Sequence, residues 1–262
     1  MENILNIKDQ IGNSLKFKSI PKRIVSLVPS ITYLLYSFDL NDEVVGITRF
    51  CKYPLHWKNE KTIIGGTKDF KINKIAALSP DFIIGNKEEN TKDKIDELQQ
   101  IAPVYISDVS DMKTNLNLIR DLGAIFNKKN QAGELINRIE SAVNSLNVAT
   151  KLRTAYLIWQ KPYMSVGGDT FIHQMMKIAG FDNVFKNRNR YPAFEINDLK
   201  KLRPQVILLS SEPFPFKEKH RIEWQKMFPE AKIILVEGEP FTWFGTYPIQ
   251  AIPYFKQLNK KL

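Results

Sequence analysis

Apolar residues recur at three- and four-residue steps between Lys128 and Thr150, at Ala132, Leu135, Ile136, Ile139, Ala142, Val143 and Leu146. No proline interrupts the run and Gly133 is its one weak point, so the period predicts a long amphipathic helix. On either side of it the chain breaks into short β-branched runs separated by turn residues. Arg23–Val28, Val44–Thr48, Ile63–Ile64, Asp81–Gly85 and Val104–Ser107 read as strands before the helix, and Thr154–Trp159, Val206–Leu209 and Ile233–Val236 after it. These runs are apolar without alternation, as in strands covered on both faces of a parallel sheet. Helical stretches separate them: Ile31–Phe38 with Ser30 placed as its cap, Asn73–Leu78, Lys92–Ile101, Met112–Phe126, Phe171–Ala179 capped by Asp169 or Thr170, and Ile249–Asn259. Strands alternating with helices imply an α/β fold.

One pattern occurs twice. Phe70-Lys-Ile-Asn-Lys-Ile-Ala-Ala-Leu-Ser-Pro80 is echoed by Phe194-Glu-Ile-Asn-Asp-Leu-Lys-Lys-Leu-Arg-Pro204. The expected organisation is two similar lobes with central parallel sheets flanked by helices, joined by one long backbone helix. Residues 1–20 form an N-terminal hairpin that turns at Asp9–Asn13, 21–127 the N-lobe, 128–150 the connecting helix and 151–262 the C-lobe. Loops leaving the C-terminal ends of parallel strands build ligand sites. That groups 49–54, 65–70 and 86–90 on one rim, with Gly65 and Gly66 allowing close backbone approach to a ligand. It groups 159–163, 191, 214–216 and 241–247 on the other. Both rims are aromatic, through Phe50 and Tyr53, and through Trp159, Tyr163, Tyr191, Trp243, Phe244 and Tyr247. Lys68, Asn86, Gln160 and Thr242 add polar groups. A small ligand is expected in the cleft between the lobes.

Composition narrows the classes. With 262 residues and 43% apolar content the chain can bury two cores, and no apolar run reaches the ~18 residues that span a bilayer. No membrane insertion is expected. The net charge of +10 is scattered rather than blocked, which speaks against nucleic acid as a partner. A single cysteine, Cys51, excludes an internal disulfide. The first residues lack a basic n-region and an apolar h-region, so no secretory signal is visible and a cytoplasmic location stays open. Gly-x-Ser-x-Gly, Walker, dinucleotide-glycine and His-Glu-x-x-His motifs are absent, so no enzyme is expected. The rival reading, a cytoplasmic metal- or tetrapyrrole-handling enzyme, would draw on Cys51, His56 and Glu88 or Glu89. The bland reading of those two glutamates is a charge pair favourable to the helix that follows. His173, beside Met175 and Met176, reads as a helix histidine or an axial metal ligand, and His220, between charged residues, as solvent-facing.

Three stretches carry a family resemblance: Pro21-Lys-Arg-Ile-Val-Ser-Leu-Val-Pro-Ser30, Val45-Gly-Ile-Thr48, and the Ile-x-x-Leu-x-Pro-Asp-Phe-Ile-Ile run from Ile75 to Ile84. They resemble the helical-backbone (class III, cluster A) periplasmic substrate-binding proteins of ABC importers, in particular cobalamin-binding members, with siderophore- and haem-binding members next. The resemblance covers nearly the whole chain after residue 20. It implies a monomer with no intrinsic cofactor that binds cobalamin or a metal chelate, works with an ABC permease and is periplasmic. It implies ligand contacts from Phe50 or Tyr53, and from Thr67, Asn86, Trp159, Tyr191, and Thr242 with Trp243. Cobalamin binders carry tryptophan where this chain has Thr67, Asn86 and Tyr191, which implies a site lined by smaller or more polar side chains. The family's permease-docking glutamates match Asn73 and Asn197, one in each copy of the repeat.

Overall fold

The computed structural model describes residues 5–148 and 151–262. The chain divides into two compact units. One takes the chain up to Val109 together with Lys113–Ile139 and Phe244–Tyr247, and the other takes Ser110–Met112, Glu140–Trp243 and Pro248–Leu262. Each unit is an α/β layer structure around a parallel sheet, as the apolar, unalternating runs predict.

The first unit opens with β1 (Leu5–Lys8) and β2 (Ser14–Phe17), then β3 (Ile24–Ser26), α1 (Pro29–Ser37), β4 (Val44–Ile47), α2 (Trp57–Glu60) and β5 (Thr62–Ile63). It continues through α3 (Ile72–Ala77), β6 (Phe82–Asn86), α4 (Lys92–Leu98), β7 (Val104–Ser107), α5 (Met112–Ile125, from Lys113 on) and α6 (Lys129–Asn144), which passes into the second unit at Glu140. Its main sheet has the order β5-β4-β3-β6-β7, every pair parallel. Ser30 does not cap α1. The helix starts at Pro29, whose fixed φ and missing N–H suit a first turn, and Val28 is the N-cap.

The expected N-terminal hairpin begins in residues 1–4, outside the described residues, and its described strands are β1 and β2. The β1–β2 hairpin is fastened to the sheet. The Asp9 carboxylate accepts the N–H groups of Asn13 at 2.7 Å and Ile106 at 3.2 Å, and Gln10 accepts the Asp108 N–H at 2.9 Å. Phe17 meets Phe82 edge-on at 5.5 Å. The turn thus closes the open edge of β7.

The long period yields α6, which stops at Asn144. Beyond it the Ser145 hydroxyl donates to the Ala142 carbonyl at 2.7 Å, and the Ser145 N–H is shared between the Ser141 and Ala142 carbonyls. A hydroxyl competing for the last carbonyls ends the helix. The rest of the expected span reaches Ala149 and Thr150, which lie outside the described residues.

The second unit comprises β8 (Leu152–Leu157), α7 (Phe171–Ile178), β9 (Phe181–Asn183), α8 (Ile196–Leu202), β10 (Val206–Ser210), α9 (Glu218–Met227), β11 (Lys232–Val236), α10 (Glu239–Thr242) and α11 (Pro248–Asn259). Its strands are parallel in the order β11-β10-β8-β9. Thr170 is the N-cap of α7, its hydroxyl accepting the His173 N–H at 3.2 Å.

The sequence repeat is a structural one. α3 and α8 each run into a left-handed residue, Ser79 at φ 45° and Arg203 at φ 46°, followed by a buried proline and a strand. Arg23, ahead of β3, donates to the Leu78 carbonyl at 2.7 Å, and Arg153, in β8, donates to the Arg203 carbonyl at 3.1 Å. Asp81 and Gln205 complete the match by accepting the backbone N–H groups of Arg23 and Arg153.

Candidate functional site

In the first sheet the connections from β3 run outward to β4 and β5, and those from β6 run the other way to β7. The reversal lies between β3 and β6, and in open parallel sheets the crevice beyond the strand C-termini at such a point takes ligands. Asn86 ends β6 there and is buried. Its Oδ1 accepts the N–H groups of Glu88 at 2.9 Å and Glu89 at 3.3 Å, and its Nδ2 donates to Ser107 Oγ at 3.0 Å. Asn90 accepts the Asn86 N–H at 2.8 Å and donates to the Thr67 carbonyl at 2.7 Å. Two asparagines therefore tie the loop at 65–70 to the loop at 86–90, and Asn86 shapes the rim with the polar atoms expected to meet a ligand.

Glu89 is reached by solvent. Its carboxyl pKa is nevertheless raised, chiefly by the crowding of surrounding protein, with Lys68 opposing, Glu88 adding and the Thr67 hydroxyl opposing. Phe50 and Tyr53 are 51% and 41% exposed on the loop after β4. Arg49 lies over the Phe50 ring at 5.0 Å and pairs with Asp69 at 2.7 Å. Gly65 has φ 123°, and a Cβ there would meet Phe70 Cα at 2.7 Å. This glycine serves the closure of its own loop, which accounts for it without any ligand.

The second sheet reverses between β8 and β10. Trp159 follows β8, 39% exposed, with its ring edge-on to Phe214 at 5.8 Å. Beside it, Gln160 Oε1 is enclosed and has no hydrogen-bond partner among the described residues. After β11, Thr242 donates to Glu212 Oε1 at 2.9 Å, fixing a carboxylate on the loop that leaves β10. Tyr191 is half-buried beneath the Arg190 guanidinium at 5.6 Å. Trp243 and Phe244 are only 7% and 6% exposed, and Phe244 belongs to the first unit. The exposed aromatic surface therefore rests with Phe50, Tyr53 and Trp159, while Trp243 and Phe244 act as core. Asn90 and Glu212 lie outside the set the sequence marks. Polar loop residues have no periodicity, and their nearness to a strand end is the one available hint.

The family model described as periplasmic binding protein matches residues 24–231. The chain belongs to the periplasmic binding protein family. These are binding proteins of ABC transport, periplasmic and not enzymes. The chain is 25% identical over 195 residues to the vitamin B12-binding protein of Vibrio campbellii, covering 72% of this chain and 70% of that one. It is 23% identical over 216 residues to an uncharacterized ABC transporter substrate-binding lipoprotein of Bacillus subtilis, covering 78% and 68%. Among solved structures, the periplasmic vitamin B12 binding protein of Vibrio cholerae shares the fold with a TM-score of 0.73 at 19% identity, covering 93% of this chain and 99% of that one. A periplasmic heme binding protein from Pseudomonas aeruginosa shares it with a TM-score of 0.75 at 16% identity, covering 91% and 92%.

In this periplasmic binding protein the repeat places Asn73 on α3 and Asn197 on α8, both exposed at the second helical position. The residues of the enzyme alternative differ in burial. Cys51 is buried, its sulfur 3.1 Å from Thr32 Oγ1, and burial raises its pKa. His56 lies at the surface, edge-on to Tyr36. Cys51 should therefore stay unlabelled by a disulfide reagent at pH 8 until the protein is unfolded, and rapid stoichiometric labelling of the native protein would refute this placement.

His173 is half-buried with Nδ1 3.3 Å from Asn183 Nδ2, and burial holds its pKa below the usual range. His220 is buried and not solvent-facing. Its Nδ1 accepts the Lys217 N–H at 2.8 Å, a capping interaction at the start of α9 that needs the neutral ring. Burial, with Lys219 next, lowers its pKa and so favours that form. Among the described residues no group of three or more His, Cys, Asp or Glu is placed to hold a metal ion, and no helix is long and apolar enough to cross a membrane.

Proposed function

We propose that the chain captures a cobalamin-like corrinoid on its strand-exit loops and delivers it in the periplasm to an ABC permease. The observation that carries this reading is the placement of exposed aromatic rings, Phe50, Tyr53 and Trp159, on loops at or beside the two sheet reversals. Rigid rings of this kind offer large contact area to a flat macrocycle at little entropic cost. Thr67, Lys68, Gln160, Tyr191 and Thr242 flank them with groups that hydrogen-bond a macrocycle's periphery. The binding named for the Vibrio campbellii relative supports the same ligand class. Asn73 and Asn197 contact the permease through hydrogen bonds where the family uses carboxylates. A second reading, haem or an anionic ferric chelate, draws on Lys161 and Arg190 on the loops of the second unit and on the haem binders of the same fold.

Titration with cyanocobalamin, dicyanocobinamide, haemin and a ferric catecholate, followed by absorbance and tryptophan fluorescence, tests the reading. A saturable change with the corrinoids is expected. Trp159→Ala should weaken it about tenfold, the loss of one well-placed aromatic contact. No response to any of the four ligands would refute the assignment.

A further inference from the structure

The loop that leaves β10 is built around Glu212. Ser210, the last residue of that strand, is buried, and its hydroxyl accepts the Tyr156 O–H at 2.9 Å and donates to the Glu212 carbonyl at 2.7 Å. The Glu212 N–H donates back to the same oxygen at 3.3 Å. From there the side chain crosses to the loop after β11, where it lies so close to Gly238 that an added Cβ would overlap Glu212 Cγ and stand 3.0 Å from Ser210 Oγ. Gly238 is tied in turn by its N–H to Ser211 Oγ at 3.0 Å. At the far end the Thr242 hydroxyl donates to Glu212 Oε1 at 2.9 Å, closer than its other acceptor, the Gly238 carbonyl at 3.2 Å. Backbone, stem and head of one carboxylate are thus all held, by residues of the second unit alone, at the reversal between β8 and β10.

Tying two loops together needs no charge, and a neutral side chain would serve. What a carboxylate adds is capacity, since it accepts up to about four hydrogen bonds and the one from Thr242 fixes it without exhausting it. Glu212 is half-buried, so part of it stays within reach of a ligand. Of the glutamates on the neighbouring loop, Glu239 is buried in α10, and Glu237 is exposed and bonded through its N–H, to Tyr254. The loop of Glu212 runs alongside that of Trp159: the Phe214 N–H donates to the Ile158 carbonyl at 3.2 Å, and the Phe214 ring meets Trp159 edge-on. Gln160 stands next to Trp159 with its enclosed Oε1 lacking a partner among the described residues, a second acceptor for which a donor is wanting.

We propose that Glu212 is a specificity-determining residue: its carboxylate accepts an N–H from the periphery of the ligand, so that a corrinoid bearing primary amides is held in preference to one bearing esters, with Thr242 as the positioning residue that aims it. The inference rests on the corrinoid reading given above. An amide N–H meets the carboxylate in a charge-assisted hydrogen bond, whereas an ester brings acceptors and no donor.

The test titrates two ligands by absorbance: dicyanocobinamide, which carries primary amides, and dicyanocobyrinic acid heptamethyl ester, which has the same corrin and no N–H on its side chains. Neither bears a free carboxylate, so Lys161 and Arg190 act on both alike. The wild type should favour the amide ligand, and Glu212→Ala should lower the ratio of the two affinities about tenfold. Thr242→Val should lower it about threefold, Thr242→Ser should restore it, and Glu237→Ala should leave it as in the wild type. Because each ratio is taken within one variant, a general loss of stability cancels. A ratio unchanged in Glu212→Ala, or lowered equally by Glu237→Ala, overturns the role of Glu212 and leaves the corrinoid reading standing. A loss in Thr242→Val that Thr242→Ser does not restore overturns the positioning role of Thr242. Failure of the wild type to bind either ligand overturns the corrinoid reading, and the role of Glu212 with it.

Discussion

Replacing Trp224 by alanine is expected to destabilise the second unit by about 3–5 kcal/mol, the usual cost of deleting a large buried aromatic side chain. Trp224 is fully buried on α9. Its ring stacks on Phe228 at 5.5 Å and meets Tyr163 edge-on at 5.2 Å, within a core that includes Leu157, Leu209 and Ile233. Alanine would leave most of the indole volume as a void, because the strands on the far side are pinned by their ladders and cannot follow. Tyr163 stands on the loop that carries Trp159, so ligand affinity should fall together with stability. Urea unfolding by far-ultraviolet dichroism measures the first effect. A loss below about 1 kcal/mol would mean that the core closes over the gap.

The second large effect is expected from Asn115→Ala. Asn115 is buried on α5 and holds one residue, Gly245, through the peptide units on both sides of it: its Oδ1 accepts the Gly245 N–H at 2.6 Å and its Nδ2 donates to the Gly245 carbonyl at 2.9 Å. Alanine leaves two buried backbone groups without that partner, at about 1–3 kcal/mol each. A side chain at Gly245 would be strained at φ 73°, and its Cβ would also crowd Leu34 Cβ at 3.0 Å. Asn115→Asp keeps the acceptor and loses the donor, so its unfolding midpoint should fall between those of Asn115→Ala and the wild type. Equal midpoints for all three would remove Asn115 from the fastening of this segment.

The elements that sequence periodicity reveals are those whose burial is continuous. β6, β7 and β10 are buried along their whole length and are legible as apolar runs, and the paired Phe-x-Ile-Asn patterns mark α3 and α8 with their prolines. α9 escapes because its buried stripe is one residue wide, and His220, the first member before Trp224 and Phe228, looks like a surface residue among lysines. β9, with three residues, is too short to show any alternation. At the site the limit is different in kind. Phe50 and Trp243 are both loop aromatics in the sequence, and nothing local tells that one faces solvent and the other the core. Asn86 is expected as a ligand contact and is found bonded to Glu88, Glu89 and Ser107, because the partners that consume its polar atoms come from a neighbouring strand and from its own turn.

Phe244–Tyr247 completes a unit whose other parts end at Ile139. During synthesis, therefore, the first unit waits for its last piece while the whole of the intervening chain is made. At about 5–20 residues per second this is a delay on the order of ten seconds. Until then Leu34 lacks its glycine neighbour, and Asn115 and Ser37 lack their partners in Gly245 and Thr246. A nascent chain stalled before residue 244 should accordingly be more open to protease in its first half than the released protein, even though that half has long since left the ribosome.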